Sequence, residues 1–323
     1  MEYRRLGKTG LEVSVVGMGC WGLSGGLGHV SQAQANATVH AAIDAGVTLF
    51  DTADAYGPRL SELMLGKALR GVRDRVLIAT KVGQIGWNTG HLLSYESVEH
   101  VHNCCDASLY RLGTDVIDIY QCHQPNPAHP EVLVEAFEQL LQAGKIRSYG
   151  VSTDDPAVLR AFDERGGNGV CQLGYSALNR AAEREMLPLC ADRDIGTLVR
   201  VPLERGILTG KFDRDTVFDD MNRSAWNETA RAEFLAQLDA AEQIRPLTNA
   251  RRTMTQVSLA YLLAHPAVTS VIPGMKTPDQ ARGNAAAADV ALTEDELELI
   301  RGIPESSSVP LGASGKPIDR PPT

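Results

Sequence analysis

Eight short apolar stretches, each followed by a helical pattern, constrain the fold of this 323-residue chain. The stretches are largely continuous rather than alternating, which is typical of parallel strands that are buried on both faces. Helical spacing separates them: after the first stretch, Val39, Ala42 and Ile43 share one face between an N-cap at Ser31 and a stop at Gly46. The predicted strands cover residues 13–18, 48–50, 76–80, 116–120, 148–151, 170–173, 197–199 and 270–272.

This repeat predicts an α/β fold, a (β/α)8 TIM barrel, in a single domain over residues 1–304. Residues 2–6 and 11–15 predict an N-terminal β-hairpin in front of the barrel. Residues 203–252 predict a long insertion after the seventh strand, with a helix over residues 228–244, and insertions of that length are usually functional. Residues 305–323 are rich in Pro, Ser and Gly and predict a loose C-terminal tail.

The stretch VGMGCWG holds a GxGxxG pattern, formed by Gly17, Gly19 and Gly22, which is the dinucleotide fingerprint of a Rossmann fold. In that fold the third glycine opens a helix whose N-terminus binds the pyrophosphate. Here Gly22 is followed by a further glycine-rich stretch, and Asp51 lies beyond the ~20-residue spacing of the ribose-binding acid. The pattern therefore favours a glycine-rich first loop at the mouth of a barrel.

Composition limits the partners and the compartment. The chain has 31 basic and 40 acidic side chains, and its net charge of −9 argues against nucleic acid or an anionic membrane as the main partner. No apolar run reaches the ~18 residues of a transmembrane helix, and MEYRRLGKTGLE lacks the apolar segment of a signal peptide. The six cysteines form no CxxC pair, so we expect reduced thiols, a cytoplasmic location and no metal site.

Ionisable side chains follow three neighbouring predicted strands, at the strand ends where barrel enzymes carry their chemistry. Asp51 and Tyr56 follow the second strand, Lys81 ends the third and His123 follows the fourth. Taken singly, three of them have structural alternatives: a turn cap for Asp51, a packing ring for Tyr56 and a core imidazole for His123. Their common position at strand ends favours a catalytic set.

Tyr56 is the candidate acid of this set. A tyrosine titrates near ~10, and we expect the ammonium of Lys81 to lower that pKa. Asp51 would keep Lys81 charged and in place, and His123 would orient a carbonyl oxygen by hydrogen bonding. Such a set protonates a carbonyl and needs a partner that delivers hydride. Lys81 also permits an alternative of another class, a lyase that forms a Schiff base on this amine.

Four ordered motifs, FDTADAYG, IATKVG, IYQCHQP and GKIRSYGVS, resemble the aldo-keto reductase superfamily, and the resemblance extends from RRLGKTGLEVS to IPGMKTPDQARGN. It implies a (β/α)8 barrel that reduces aldehydes or ketones with NADPH, or sometimes NADH. It also implies that Asp51, Tyr56, Lys81 and His123 are the catalytic residues, with Tyr56 as the acid. Channel-associated β subunits share the superfamily, so a nucleotide-sensing subunit with little turnover is a third alternative.

The resemblance also implies which residues contact the cofactor. Ser152 and Gln172 match the ligands of the nicotinamide carboxamide, whereas Thr153 stands where Asn is usual. Arg200 and Val201 replace an aromatic residue and a serine. The full implied set is Gly19, Trp21, Asp51, Ser152, Thr153, Gln172, Arg200, Val201, Pro202, Leu203, Arg205, Gly206, Leu208, Thr209, Gly210, Lys211, Ile272, Gly274, Met275, Lys276, Gln280 and Asn284.

Two substitutions weaken the implied site for the 2′-phosphate of NADPH. Many members of the superfamily have Lys where Gly274 stands and Arg where Gln280 stands, while Lys276 can act as a point charge. NADPH remains the expected cofactor, and NADH is the alternative.

The substrate pocket is inferred from position alone. The candidate contacts are Trp21, His29, Tyr56, Trp87 and His123, with loop packing as the structural alternative for Trp87. Arg200 can stack on nicotinamide through its planar guanidinium, and it adds positive charge. We therefore hypothesise that Arg200 favours oxygen-rich or anionic carbonyl substrates. The expected partner is a small carbonyl or alcohol, and the sequence is compatible with a homo-oligomer.

Overall fold

The computed structural model describes residues 1–25, 28–57, 59–85, 95–218 and 228–306. The strands in this part of the chain are β1 (Tyr3–Arg5), β2 (Glu12–Ser14), β3 (Met18–Gly19), β4 (Leu49–Asp51), β5 (Leu77–Val82), β6 (Ile117–Cys122), β7 (Ile146–Ser152), β8 (Val170–Gly174), β9 (Gly196–Arg200) and β10 (Ser270–Val271). The α-helices are α1 (Gln32–Asp44), α2 (Leu60–Ala68), α3 (Val98–Leu112), α4 (Pro130–Gln142), α5 (Pro156–Phe162), α6 (Met186–Asp192), α7 (Glu228–Glu242), α8 (Met254–Leu263), α9 (Pro278–Ala285) and α10 (Glu294–Arg301).

Strands β3 to β10 form one parallel sheet in chain order. Its two edges meet, because Val16 pairs in parallel with Val271 and Gly19 with Gly274. The sheet therefore closes on itself with helices between successive strands, and the predicted (β/α)8 barrel is confirmed. Closure brings the carboxyl ends of all eight strands to one mouth.

The first predicted strand, residues 13–18, is divided between two sheets. β2 pairs antiparallel with β1, with Arg4 opposite Val13, and forms the predicted hairpin, while the barrel strand is β3. Leu6, Leu11 and Val13 of the hairpin pack with inward-facing apolar residues at the lower end of the barrel. The hairpin thus removes apolar surface from water at the amino ends of the strands. The predicted site residues Asp51, Lys81 and His123 lie at the opposite, carboxyl ends.

The GxGxxG stretch belongs to the first loop of the barrel. Gly19 ends β3, and a short 3₁₀ helix follows over Cys20–Ser24. Helix α1 begins only at Gln32, after Ser31, whose side chain accepts a hydrogen bond from the Gln34 N–H. No helix opens at the third glycine, so this segment lacks the pyrophosphate-binding geometry of a Rossmann fold. None of the described helices has both the length and the apolar character to cross a membrane.

The predicted insertion lies between β9 and α8. It begins with a 3₁₀ turn over Glu204–Thr209, and α7 matches the helix that the sequence predicts over 228–244. Residues 219–227, between these two elements, lie outside the described residues.

The start of the predicted C-terminal tail contacts the loop after β8. Glu305 forms an ion pair with Arg184, and the backbone N–H of Ser306 donates to the carbonyl oxygen of Leu178. The remaining residues of the tail, 307–323, lie outside the described part of the chain.

Candidate active site

A buried ion pair between Asp51 and Lys81 forms the base of the site. Asp51 ends β4, which pairs in parallel with β5, and Lys81 lies two residues beyond the position opposite Asp51. Lys81 Nζ is 2.7 Å from Asp51 Oδ1 and 2.8 Å from the carbonyl oxygen of Thr52. Burial disfavours the ammonium, but Asp51 and Tyr56 more than offset this effect and raise the pKa of Lys81. Lys81 is therefore charged at neutral pH.

Tyr56 reaches this pair from the loop after β4. Its Oη lies 3.4 Å from Lys81 Nζ, which is 5.0 Å from the centroid of the Tyr56 ring. Burial raises the pKa of Tyr56 more than Lys81 lowers it, so the expectation of a lowered pKa is wrong for this structure. The consequence is that Tyr56 holds its proton at neutral pH, which is the state that a general acid needs.

His123 directly follows β6 and faces Tyr56. The two rings meet edge to face, with centroids 5.6 Å apart and planes at 78°. Burial, with the added charges of Lys81 and Arg200, holds the pKa of His123 well below its usual value. The imidazole is therefore neutral and can donate one hydrogen bond to a carbonyl oxygen near Tyr56.

A glycine makes the approach of the His123 segment possible. Gly83 follows β5 with a φ of +126°, and a Cβ there would lie 2.9 Å from Gln124 Cγ and 3.2 Å from the Gln124 backbone N. The backbone N–H of His123 donates to the carbonyl oxygen of Val82 at 2.7 Å. Gly83 therefore allows the ends of β5 and β6 to approach closely. This approach sets the backbone position from which the His123 side chain extends.

Gln172 connects the implied carboxamide ligands to the ion pair of Asp51 and Lys81. It lies in β8, where Cα pairing places it opposite Ser152 of β7. Its Nε2 donates to Asp51 Oδ2 at 2.7 Å, across the barrel from β8 to β4. The contact was not predicted, because nothing in the local sequence links positions 51 and 172. Each oxygen of the Asp51 carboxylate thus has its own donor.

The residue next to Ser152 has a local structural role. The Thr153 hydroxyl donates to the carbonyl oxygen of Pro125 at 3.0 Å and accepts from the backbone N–H of Asp155 at 3.0 Å. The side chain is buried and is bound both to its own loop and to the loop after β6. These two contacts leave the hydroxyl little capacity for the carboxamide, so Ser152 and Gln172 remain the better candidates for that role.

Arg200 ends β9 and forms an ion pair with Asp154, which follows β7. The other carboxylate oxygen of Asp154 accepts a 2.7 Å hydrogen bond from the backbone N–H of Gly174. Gly174 lies between them at the end of β8, where a Cβ would be 3.3 Å from both Arg200 Nη1 and Asp154 Oδ1. The guanidinium therefore crosses the end of β8, and the sequence hypothesis for Arg200 did not include its partner.

The segment after β9 turns sharply through left-handed backbone conformations. Val201, Glu204 and Arg205 have φ angles of 55°, 44° and 54°, a conformation that costs an L-residue roughly 1–2 kcal/mol. The buried Glu204 accepts a 2.6 Å hydrogen bond from Ser176 Oγ. Backbone strain of this kind clusters at ligand-binding segments. The implied contacts of this strap, our term for residues 201–211, are Val201, Pro202, Leu203, Arg205, Gly206, Leu208, Thr209, Gly210 and Lys211.

The chemistry of the strap suits a diphosphate. Pro202, Leu203 and Leu208 are buried, so the accessible part of the strap lies chiefly at residues 205–206 and 209–211. Arg205 and Lys211 add two basic side chains, and glycines at 206 and 210 keep the backbone accessible. Successive backbone amides with nearby cations form an anion-binding surface.

The segment after β10 carries the implied adenosine contacts. Gln280 Oε1 accepts a 2.7 Å hydrogen bond from the backbone N–H of Lys276, so the side chain that replaces an arginine binds its own loop. The carbonyl oxygen of Lys276 accepts from Gln34 Nε2 and Thr38 Oγ1. Gly274 has open space where a side chain would stand. The other implied contacts here are Ile272, Met275 and Asn284, which are buried.

The implied substrate contacts differ in their exposure to solvent. Trp21 is half-buried in the 3₁₀ turn after β3, beside Gly19, and His29 is exposed before α1. Tyr56 and His123 are half-buried above the fully enclosed Lys81. Trp87 lies outside the described residues, so its role stays a prediction. An enclosed ion pair below a partly open tyrosine and histidine leaves the acid within reach of a small carbonyl.

The fold and this site define a class of barrel oxidoreductases, and comparisons with known proteins specify it. Residues 15–305 match the model of the Aldo/keto reductase family. Aldo-keto reductase YhdN of Bacillus subtilis (strain 168) is 32% identical to the chain over 320 residues, which cover 97% of this chain and 96% of that protein. The NADH-specific methylglyoxal reductase of Escherichia coli (strain K12) is 33% identical over 320 residues, covering 93% and 98%.

A comparison with solved structures points to the same family. A crystal structure of an aldo/keto reductase from Klebsiella pneumoniae, in complex with NADP and acetate, aligns with a TM-score of 0.72 and 29% identity, over 93% of this chain and 94% of that one. The chain belongs to the aldo/keto reductase family. The expectation of NAD(P)H-dependent carbonyl reduction is confirmed at this level, while the roles of single residues stay predictions.

Proposed function

We propose that this chain reduces a small aldehyde or ketone to an alcohol, with Tyr56 as the proton donor. The observation that carries the proposal is the position of Tyr56 Oη, 3.4 Å from the buried Lys81 ammonium and edge to face with a neutral His123. A methylglyoxal reductase among the relatives supports a small carbonyl as the substrate. With family membership, this geometry favours the reductase reading over the two alternatives.

Each of the four candidate residues has its own role in the proposed reduction. A bound nicotinamide would supply the hydride. Tyr56 donates its proton to the carbonyl oxygen, and His123 donates a hydrogen bond to the same oxygen and positions it. Lys81 stabilises the phenolate that remains on Tyr56, because a cation 3.4 Å from the oxygen favours the charged form. Asp51 keeps Lys81 charged and oriented, through the 2.7 Å contact.

The residues present fit a nicotinamide dinucleotide. Ser152 and Gln172 lie side by side at the mouth, where they would hold the carboxamide. The strap would hold the pyrophosphate through backbone amides and basic heads. We propose NADPH with NADH as an accepted alternative, because Gly274 and Gln280 provide no cation for a 2′-phosphate, whereas Lys276 is the basic residue among the implied contacts of this segment. One relative is NADH-specific, and a solved neighbour holds NADP.

The decisive experiment follows nicotinamide absorbance with purified protein, NADPH or NADH, and a panel of small aldehydes. Tyr56→Phe should lower kcat by about 10²–10⁴-fold, as expected on loss of a general acid, while nucleotide binding, followed by fluorescence, persists. Nucleotide binding without turnover on the whole panel would favour the sensing subunit. Borohydride trapping of a substrate on Lys81 without nucleotide would favour the lyase, which the charged state of Lys81 argues against.

The compartment and assembly are also proposed. We place the protein in the cytoplasm, since its six cysteines are free thiols, as is typical of reducing compartments. A homo-oligomer is tested by light scattering, and a single-copy mass would contradict it.

A further inference from the structure

The ion pair between Asp154 and Arg200 joins three strand ends at the mouth. Asp154 follows β7, Gly174 ends β8 and Arg200 ends β9. Asp154 is fixed from two sides, by the Arg200 guanidinium and by the backbone N–H of Gly174 at 2.7 Å. The absence of a side chain at Gly174 provides the room that the guanidinium occupies. This is a built contact, in which each partner is held by a separate strand.

The guanidinium shares the mouth of the barrel with the candidate catalytic residues, because Arg200 ends β9 and His123 follows β6 at the same end of the parallel sheet. Burial and Lys81 lower the pKa of His123, and the charge of Arg200 adds to this effect. The side chains are partly open to solvent, with exposures of 34% for Arg200 and 59% for Asp154. A substrate that enters this mouth would therefore encounter a paired cation rather than an isolated one.

Pairing changes what the guanidinium can recognise. An uncompensated guanidinium attracts carboxylates and binds them through two parallel hydrogen bonds. With Asp154 in contact, the local charge is close to zero, and a substrate carboxylate would have to displace Asp154 while being repelled by it. Guanidinium N–H groups outside the pair can still donate to neutral oxygen atoms.

We infer that Asp154 is a specificity-determining residue, which holds Arg200 and cancels its charge so that the site selects neutral, oxygen-rich carbonyls over carbonyls that bear a carboxylate. The inference rests on the proposed function and narrows its substrate class. The sequence hypothesis was that Arg200 favours oxygen-rich or anionic carbonyl substrates. The inference keeps the preference for oxygen-rich substrates and replaces the preference for anionic ones.

The test compares two matched substrates, succinic semialdehyde and its methyl ester, which differ by one negative charge. The ratio of kcat/KM for the ester to that for the acid is measured in the wild type and in Asp154→Asn. We expect the ratio to fall by about tenfold in Asp154→Asn, chiefly through a higher kcat/KM for the acid, and the gain to shrink with added salt. Adding Arg200→Gln should abolish the gain.

Two further variants separate this role from a general structural effect. Asp155→Asn removes the same charge one residue away and keeps an N-cap for α5, where Asp155 accepts from Ala157; its ratio should match the wild type. Asp154→Glu should restore most of the wild-type preference. An unchanged ratio in a folded Asp154→Asn, or an equal change in Asp155→Asn, would overturn the inference.

A second measurement is independent of turnover. Succinate binding to the protein with NADP+ is followed by calorimetry, and Asp154→Asn should bind succinate about tenfold more tightly than the wild type. If no aldehyde is reduced but this difference is present, the proposed function fails while the charge selectivity stands. If aldehydes are reduced and succinate affinity is equal in both proteins, only the inference about Asp154 fails.

Discussion

Gln172 Nε2 donates a 2.7 Å hydrogen bond to Asp51 Oδ2, and so a residue implied in cofactor binding also holds the carboxylate that orients Lys81. With Nε2 used in this way, the Gln172 side chain can meet a carboxamide through its Oε1 acceptor. A continuous chain of contacts therefore runs from the implied nicotinamide pocket through Asp51 and Lys81 to Tyr56.

This chain predicts that Gln172 acts on catalysis as well as on binding. Gln172→Leu removes one of the two donors to a buried carboxylate, and a hydrogen bond to a charged group contributes about 1.5–3 kcal/mol. We expect kcat to fall at least tenfold in addition to weaker nucleotide binding, measured by steady-state kinetics at saturating cofactor. Ser152→Ala, at the other implied carboxamide ligand, is the control, because the hydrogen bonds described for the Asp51 carboxylate come from Lys81 and Gln172. A defect in Gln172→Leu confined to nucleotide affinity would contradict the chain.

We expect the buried carboxyl of Asp54 to lower the free energy of unfolding as pH rises. This carboxyl is buried, and neither oxygen has a hydrogen-bond partner of good geometry among the described residues. Burial, together with the charge of Glu62, raises its pKa to about 7, although Arg111 and the Ala55 backbone oppose this shift. Because the folded pKa lies above the unfolded value, the contribution of Asp54 to stability is fully present below about pH 4 and is lost as pH rises through about 7. Asp54→Asn should therefore raise the free energy of unfolding at pH 8 by about 2–4 kcal/mol.

The control for Asp54 is the same variant at low pH. At pH 4 the wild-type carboxyl is protonated in the folded state, so urea unfolding of the two proteins should nearly coincide. Equal stability of the two proteins at pH 8 would show that Asp54 has a partner in solution that compensates its charge.

Gly83 predicts a coupled loss of stability and activity. Gly83→Ala forces a side chain onto a residue with φ +126° and into contact with Gln124, at a cost of about 1–3 kcal/mol. Because the same close approach sets the backbone position of His123, a displaced His123 should also lower kcat. Gly71→Ala is a matched control: φ is +79° with open space around it. It should lose stability in urea unfolding and keep wild-type kcat.

Gln280 predicts how the cofactor preference can be changed. Gln280→Arg gives up the hydrogen bond to the Lys276 backbone and supplies a guanidinium that can bind a phosphate through two hydrogen bonds. We expect the preference for NADPH over NADH to rise about tenfold, measured as the ratio of dissociation constants by fluorescence. Gln280→Met breaks the same hydrogen bond without adding charge. A similar rise in Gln280→Met would show that loop release, rather than phosphate recognition, is responsible.

The sequence by itself determined the barrel and the order of the candidate catalytic residues. Strand and helix patterns are local, so continuous apolar runs and capped helices could be located without knowing which strands pair. Parallel connectivity then requires Asp51, Lys81 and His123 to meet, since each ends a neighbouring strand. The hairpin and α7 were predicted for the same reason, because their patterns lie within a few residues.

Only the tertiary structure decided the contacts that join distant parts of the chain. The pairs Gln172–Asp51 and Asp154–Arg200 depend on barrel closure and on side-chain rotamers, neither of which leaves a periodic signal. The pKa of Tyr56 also depends on the structure, because desolvation competes with the charge of Lys81 and burial is set by packing. Sequence motifs fix which chemical groups share the mouth; their hydrogen-bond partners and charge states follow from three-dimensional neighbours.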